Sequence, residues 1–86
     1  MDDLHELRRR IDEIDDQILN ALCERAKVCK AIGVAKKKKG KPVRDLSREN
    51  ELFKRIAAKG VEFSLDASQL KAVYREIVNM CSSVQE

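Results

Sequence analysis

LHELRRRIDEIDDQILNALCERAKVCKAIGVAKKK, residues 4–38 of an 86-residue chain, decides the fold. Its apolar residues step by threes and fours: Leu4, Leu7, Ile11, Ile14, Ile18 and Ala21, then Val28, Ile32 and Ala35. These are the a and d positions of a heptad sustained over several turns. Leu19, Leu22 and Cys23 widen the stripe midway, as a helix touching more than one neighbour requires. The pattern holds until Gly40 and Pro42. It predicts one helix from about residue 3 to about residue 38, roughly 50 Å long. A helix that long overshoots a domain of this size. It needs a partner along its length, most simply the same helix of a second chain.

Downstream, Pro42 and Val43 make an extended lead-in to a second helix that begins near Asp45, with Asp45 or Ser47 as cap. Leu52, Phe53 and Ile56 supply its apolar face, and Gly60 is a suitable stop. The third helix has a sharper start. Asp66 as N-cap and Gln69 at N3 form a capping-box pattern, with Leu65 and Leu70 at the staple positions. Leu70, Val73, Tyr74, Ile77, Cys81 and Val84 mark its buried face. No repeat, low-complexity linker or alternating strand pattern occurs. The expectation is one all-α domain over residues 1–86, with long, short and medium helices forming a homodimer.

Composition agrees and excludes other classes. Only 3% of the residues are aromatic, so Leu, Ile, Val and Ala must build the core. A lone chain this short buries only about 60–65% of its unfolded surface. The longest apolar runs are a few residues, against the ~20 that span a bilayer. MDDLHELRRR lacks the apolar stretch of a signal peptide, so a cytoplasmic protein without membrane contact is expected. Cys23, Cys29 and Cys81 are odd in number and lack CxxC spacing. Free thiols in a reducing compartment are therefore expected, rather than a disulfide framework or a zinc site. His5 is the only histidine, which excludes His-pair metal chemistry. The net charge of +3 suits a small anionic ligand at least as well as a nucleic acid.

The informative residues are polar ones on apolar stripes. Arg25 occupies an a position between Ala21 and Val28; it either sets register or faces a ligand. Lys36 lies eleven residues on, within about 20° of the same azimuth and ~16 Å along the helix. Two inward-reaching cations at that spacing can hold a compact dianion, although Lys36 also opens a basic run that complements the helix C-terminus. Glu49 stands one turn before Phe53, where carbon is expected, with Asp45 and Arg48 beside it. It either complements the helix N-terminus, with Arg48 pairing locally, or serves a site. Gln85 extends the stripe of the third helix one turn past Cys81. Arg8 lies ~25 Å from Arg25 along the same helix; it does not readily share a site with the Arg25 of its own chain, and in an antiparallel dimer of the long helices it could approach the partner's.

These residues, in this order, resemble the all-helical chorismate mutases. The resemblance covers essentially the whole chain and is carried by four segments. They are Leu7-Arg8-Arg9-Arg10-Ile11-Asp12-Glu13-Ile14-Asp15, Glu24-Arg25, Gly33-Val34-Ala35-Lys36 and Pro42-Val43-Arg44-Asp45-Leu46-Ser47-Arg48-Glu49, with Gln85 at the place of a C-terminal active-site Gln or Glu. It implies an intertwined homodimer that rearranges chorismate to prephenate without cofactor or metal. By resemblance, Arg25 and the partner chain's Arg8 clamp the substrate carboxylates, and Lys36 and Gln85 donate to the ether oxygen. Glu49 with Asp45 receives the ring hydroxyl, and Arg48 supports a carboxylate through water. Cys81 stands where many members carry Ser, and a thiol is the weaker donor; Ser82 or Ser83 could take its place. A separate downstream enzyme of the shikimate pathway is the partner left open.

Two alternatives stand beside it. An isochorismate-pyruvate lyase shares the fold and the cationic clamp, but such enzymes tend to lack the acidic pair that Asp45 and Glu49 form. A non-catalytic basic helical module is the other: as a nucleic-acid binder it is disfavoured by 15 acidic residues and few aromatics, and as a regulator it stays open.

Overall fold

The computed structural model describes residues 3–86. Three helices follow in order: α1 (Asp3–Lys38), α2 (Leu46–Glu62) and α3 (Ala67–Gln85). The helix thus runs unbroken through 36 residues. The chain ends α1 by a backbone motif. Gly40 adopts a φ of +67°, the Gly40 N–H donates to the Lys37 carbonyl, and the Lys41 N–H donates to that of Lys36. This left-handed exit satisfies carbonyls the helix leaves unpaired.

Asp45 caps α2, its carboxylate accepting the Arg48 N–H at 3.0 Å. Asp66 caps α3 in the same way through the Gln69 N–H at 2.9 Å. The end of α2 departs from expectation. Helix continues past Gly60 to Glu62, and Ser64 takes the left-handed position at a φ of +56°. Its N–H donates to the Val61 carbonyl, and that of Leu65 to Gly60. Gly60 serves close packing instead: a Cβ there would stand 3.2 Å from Leu70 Cδ1 and 3.3 Å from the Leu65 carbonyl.

α3 packs against both α1 and α2, which do not pack on each other. The core is correspondingly thin, with Cys29, Ile56 and Val78 as its buried apolar side chains. At the crossing of α1 and α3, a Cβ on Gly33 would lie 3.0 Å from Cα, Cβ and Cγ of Gln85. The bare backbone lets the helices approach where Gln85 sits. The chain measures 59 × 25 × 15 Å, with a radius of gyration of 16.3 Å; a compact domain of this length has about 12 Å. Leu4, Leu7, Ile11, Ile14 and Ile18 are each 46–55% exposed. The end of α1 that carries them extends beyond the bundle.

The cysteines overturn another expectation. Cys29 and Cys81 are joined by a disulfide linking α1 to α3 across a sequence separation of 52, while Cys23 is free and exposed. Spacing along the chain cannot reveal a bond between two helices brought together by folding. No described helix is long and apolar enough to cross a membrane.

Candidate active site

One cavity of about 370 Å³ opens between α1, the lead-in to α2, α2 and α3. Seven of the eight residues singled out from the sequence line it: Arg25, Lys36, Asp45, Arg48, Glu49, Cys81 and Gln85. Arg8 does not. It is exposed near the far end of α1, and no fold of this chain by itself bends a straight helix back on its own midpoint.

Each polar group is held by its neighbours. The Lys36 ammonium donates to the Gln85 side-chain carbonyl at 2.8 Å and to the Val43 backbone carbonyl, which leaves one of its three N–H groups for a ligand. By accepting from Lys36, the Gln85 carbonyl oxygen fixes which way the amide points. Its NH2 end donates to Cys81 Sγ at 3.2 Å. Gln85 is buried, and sulfur is a weak acceptor, so a better acceptor entering the cavity can take that N–H at little cost. Arg25 likewise rests a guanidinium N–H against Cys29 Sγ at 3.7 Å. Arg25 and Gln85 therefore lean on the two sulfurs of the disulfide. Bonded in this way, Cys81 carries no S–H, so the weak thiol donor expected from the sequence is absent. Ser82, which also lines the cavity, is the hydroxyl at hand.

At the opposite wall Glu49 accepts two hydrogen bonds from Arg44, Nε to Oε2 at 2.8 Å and Nη2 to Oε1 at 2.7 Å. This fork holds the Glu49 carboxyl below its ordinary value, against burial and the nearby Asp45 charge, which push it up; Lys36 adds a further lowering. The local pairing expected of Arg48 is formed, three residues along the helix and not with its neighbour Glu49. Arg48 pairs with Glu51 at 3.3 Å. Adjacent helical residues point about 100° apart, whereas residues three apart share a face. Arg44 was not singled out from the sequence; the clue was its place in a lead-in free to fold back onto the first turn. Asp45 lines the cavity and commits one carboxylate oxygen to capping. No group of His, Cys, Asp and Glu among the described residues could hold a metal ion.

The arrangement can bind a small dianion between Arg25 and Lys36, offer neutral and cationic donors to a central oxygen, and accept a hydroxyl at Glu49. It has the electrostatics for stabilising charge that develops in a ligand.

Residues 7–86 match the chorismate mutase type II family. Relatives include the bifunctional chorismate mutase/prephenate dehydratase of Aquifex aeolicus, 41% identical over the whole of this chain and 25% of its own length. The chorismate mutase of Methanocaldococcus jannaschii is 29% identical over 96% of this chain and 84% of its own. A conserved hypothetical protein from Pyrococcus furiosus superposes with a TM-score of 0.80 at 31% identity, covering 96% of this chain and 95% of that one. The chain spans about a quarter of the length of the Aquifex relative. With the match running over nearly all of its residues, the chain belongs to the chorismate mutase type II family.

Proposed function

We propose that the chain catalyses the Claisen rearrangement of chorismate to prephenate, as an intertwined homodimer acting in the cytoplasm. The observation that carries this reading is the convergence of Arg25, Lys36, Glu49 and Gln85, from three helices, on one cavity. The reaction is unimolecular: an ether C–O bond breaks as a C–C bond forms, and no proton, electron or leaving group is exchanged. Catalysis then reduces to holding the reactive conformer and stabilising charge.

Arg25 engages one carboxylate as a bidentate partner, and Arg8 of a second copy reaches the other. The ether oxygen gains negative charge as its bond to carbon stretches. Lys36 and the Gln85 NH2 donate to it, and they favour the transition state because that charge is greatest there. Glu49 accepts the ring hydroxyl, beside the Asp45 backbone, and Arg48 approaches a carboxylate through water. The exposed apolar stripe from Leu4 to Ile18 supports the dimer, since it brings the partner's Arg8 within reach of a pocket that this chain leaves open. A separate enzyme that consumes prephenate, of the kind fused to the mutase in the Aquifex relative, completes the scheme.

The test follows the decay of chorismate absorbance with purified protein and identifies the product. Turnover to prephenate is expected, flat between about pH 5 and pH 8, because a neutral amide needs no proton and Glu49 stays ionised there. Arg25→Ala should lower kcat/KM by about a thousandfold or more with the dimer intact. Faster release of pyruvate and salicylate from isochorismate would move the assignment to the lyase.

A further inference from the structure

Glu49 faces two cavities. One is the candidate active site. The other, of about 440 Å³, lies between α2 and α3 and is lined by Arg44, Lys71 and Arg75 as well as Glu49. Arg44 lines only the second. Its guanidinium therefore grips the Glu49 carboxylate from outside the active site, one N–H on each oxygen. An ionised carboxylate has about four acceptor positions, so the fork occupies half of them and leaves each oxygen one more acceptor position, for the active-site side. The fork also removes the freedom of the last Glu49 torsion, because both oxygens are pinned in one plane.

We infer that Arg44 is a positioning residue for the rearrangement, aiming the Glu49 carboxylate at the substrate hydroxyl. The inference rests on the activity proposed above. Other charges face Glu49 from each neighbouring element. Lys36 approaches from α1, Asp45 and Arg48 from the start of α2, and Lys71 and Arg75 line the second cavity from α3. Among the described residues, only Arg44 hydrogen-bonds the carboxylate. Asp45 and burial oppose ionisation of Glu49, and Lys36 favours it only weakly. Without Arg44 the balance moves toward the protonated acid, which can turn its O–H away from the cavity.

Arg44 precedes the Asp45 cap and is half exposed, so its removal leaves all three helices with their caps and apolar faces. Arg44→Ala should lower kcat/KM by about tenfold to a hundredfold, with an acid limb that is absent from the parent and centred above the ordinary carboxylate value. Arg44→Lys, which restores a charge but not the fork, should abolish most of the acid limb and recover only part of kcat. In a Glu49→Gln background, Arg44→Ala should cost no more than about twofold, since its target is gone. Carbon-13 NMR of the Glu49 carboxyl reads the same effect without substrate, its titration midpoint rising in Arg44→Ala. An unmoved midpoint, or an Arg44→Ala loss that is uniform in pH and fully additive with Glu49→Gln, would overturn the inference. A shifted midpoint in a protein that turns over no chorismate would keep the positioning and refute the activity.

Discussion

The two halves of α1 carry the same heptad and have opposite fates. From Asp3 to Ala21 no residue is buried, although Leu4, Leu7, Ile11, Ile14 and Ile18 keep the a and d spacing. From Arg25 to Lys36 the same helix buries Cys29 and Gly33, is bonded covalently to α3, and lends the site two cations. The difference does not lie in the pattern. It lies in reach: α3 is only 19 residues long and covers one half of a helix nearly twice its length. A heptad states that a helix wants a partner, and chain length decides whether the partner comes from the same chain.

The comparison breaks most completely if the N-terminal half needs no partner. Ile14→Asp puts a charge in the centre of the stripe. Buried against a second copy, that charge costs several kcal/mol; left in water it costs almost nothing. We expect dimer dissociation in sedimentation and loss of essentially all turnover. A related experiment locates Arg8. Arg8→Ala and Arg25→Ala should each be inactive, yet mixing and refolding them should restore about a quarter of parental activity, because a mixed dimer holds one intact site. Recovery near zero would place both arginines in the same site of one chain, contrary to the straightness of α1.

How much of this was legible in the sequence depended on whether a signal was local. The cap of α2 is narrowed to Asp45 or Ser47, while the length of α1 and the Asp66 cap follow from periodicity and from side chains acting within one turn. So does the alignment of Arg25 with Lys36, because helical geometry fixes the angle between them. The stop of α2 was misread at Gly60, since a glycine answers two needs, positive φ and close approach, and the sequence does not say which. The Cys29–Cys81 bond and the Arg44–Glu49 fork are tertiary or lie across a loop. Neither spacing nor charge pattern distinguishes them from their alternatives until the helices are placed.

The C-terminal half offers the next largest effect. Its disulfide closes a loop of 52 residues, which by chain entropy stabilises the fold by up to about 4 kcal/mol. Reduction should lower the Tm of the parent, whereas Cys81→Ser should show the lower Tm throughout and no response to reductant. Arg25 and Gln85 both rest on these sulfurs, so the reduced protein should also bind substrate more weakly. The N-terminal half has no part in the bond, so the dimer should survive reduction. Dissociation on reduction would mean that the two halves are not independent.

Gly33→Ala probes the crossing of α1 with α3. In an exposed helix this change gains about 1 kcal/mol from propensity. Here the new methyl meets backbone and side-chain carbons of Gln85 at 3.0 Å, and overpacking of this kind costs about 1–3 kcal/mol. Net destabilisation in thermal unfolding is expected. Turnover should fall further than substrate affinity, because the displaced group is the donor proposed for the ether oxygen. A stabilised variant with unchanged kcat would show that α3 slides freely on α1.

The smallest effect lies in the turn that brings α3 back over α2. Ser64 holds a φ of +56°, a conformation a side chain tolerates poorly and glycine adopts freely. Both hydrogen bonds of the turn, from the N–H groups of Ser64 and Leu65, are backbone bonds that glycine retains. Ser64→Gly should therefore relieve strain of order 1 kcal/mol, partly offset by the greater entropy of glycine in the unfolded chain. A net gain of about half a kcal/mol or less is expected, read as a small rise in Tm. The turn lies in the part of the molecule completed within one chain. The gain should accordingly persist upon dilution, and the dimer dissociation constant should not move. A change in that constant would show that the α2–α3 turn belongs to the interface, and that the line between the self-sufficient and partner-dependent halves runs elsewhere.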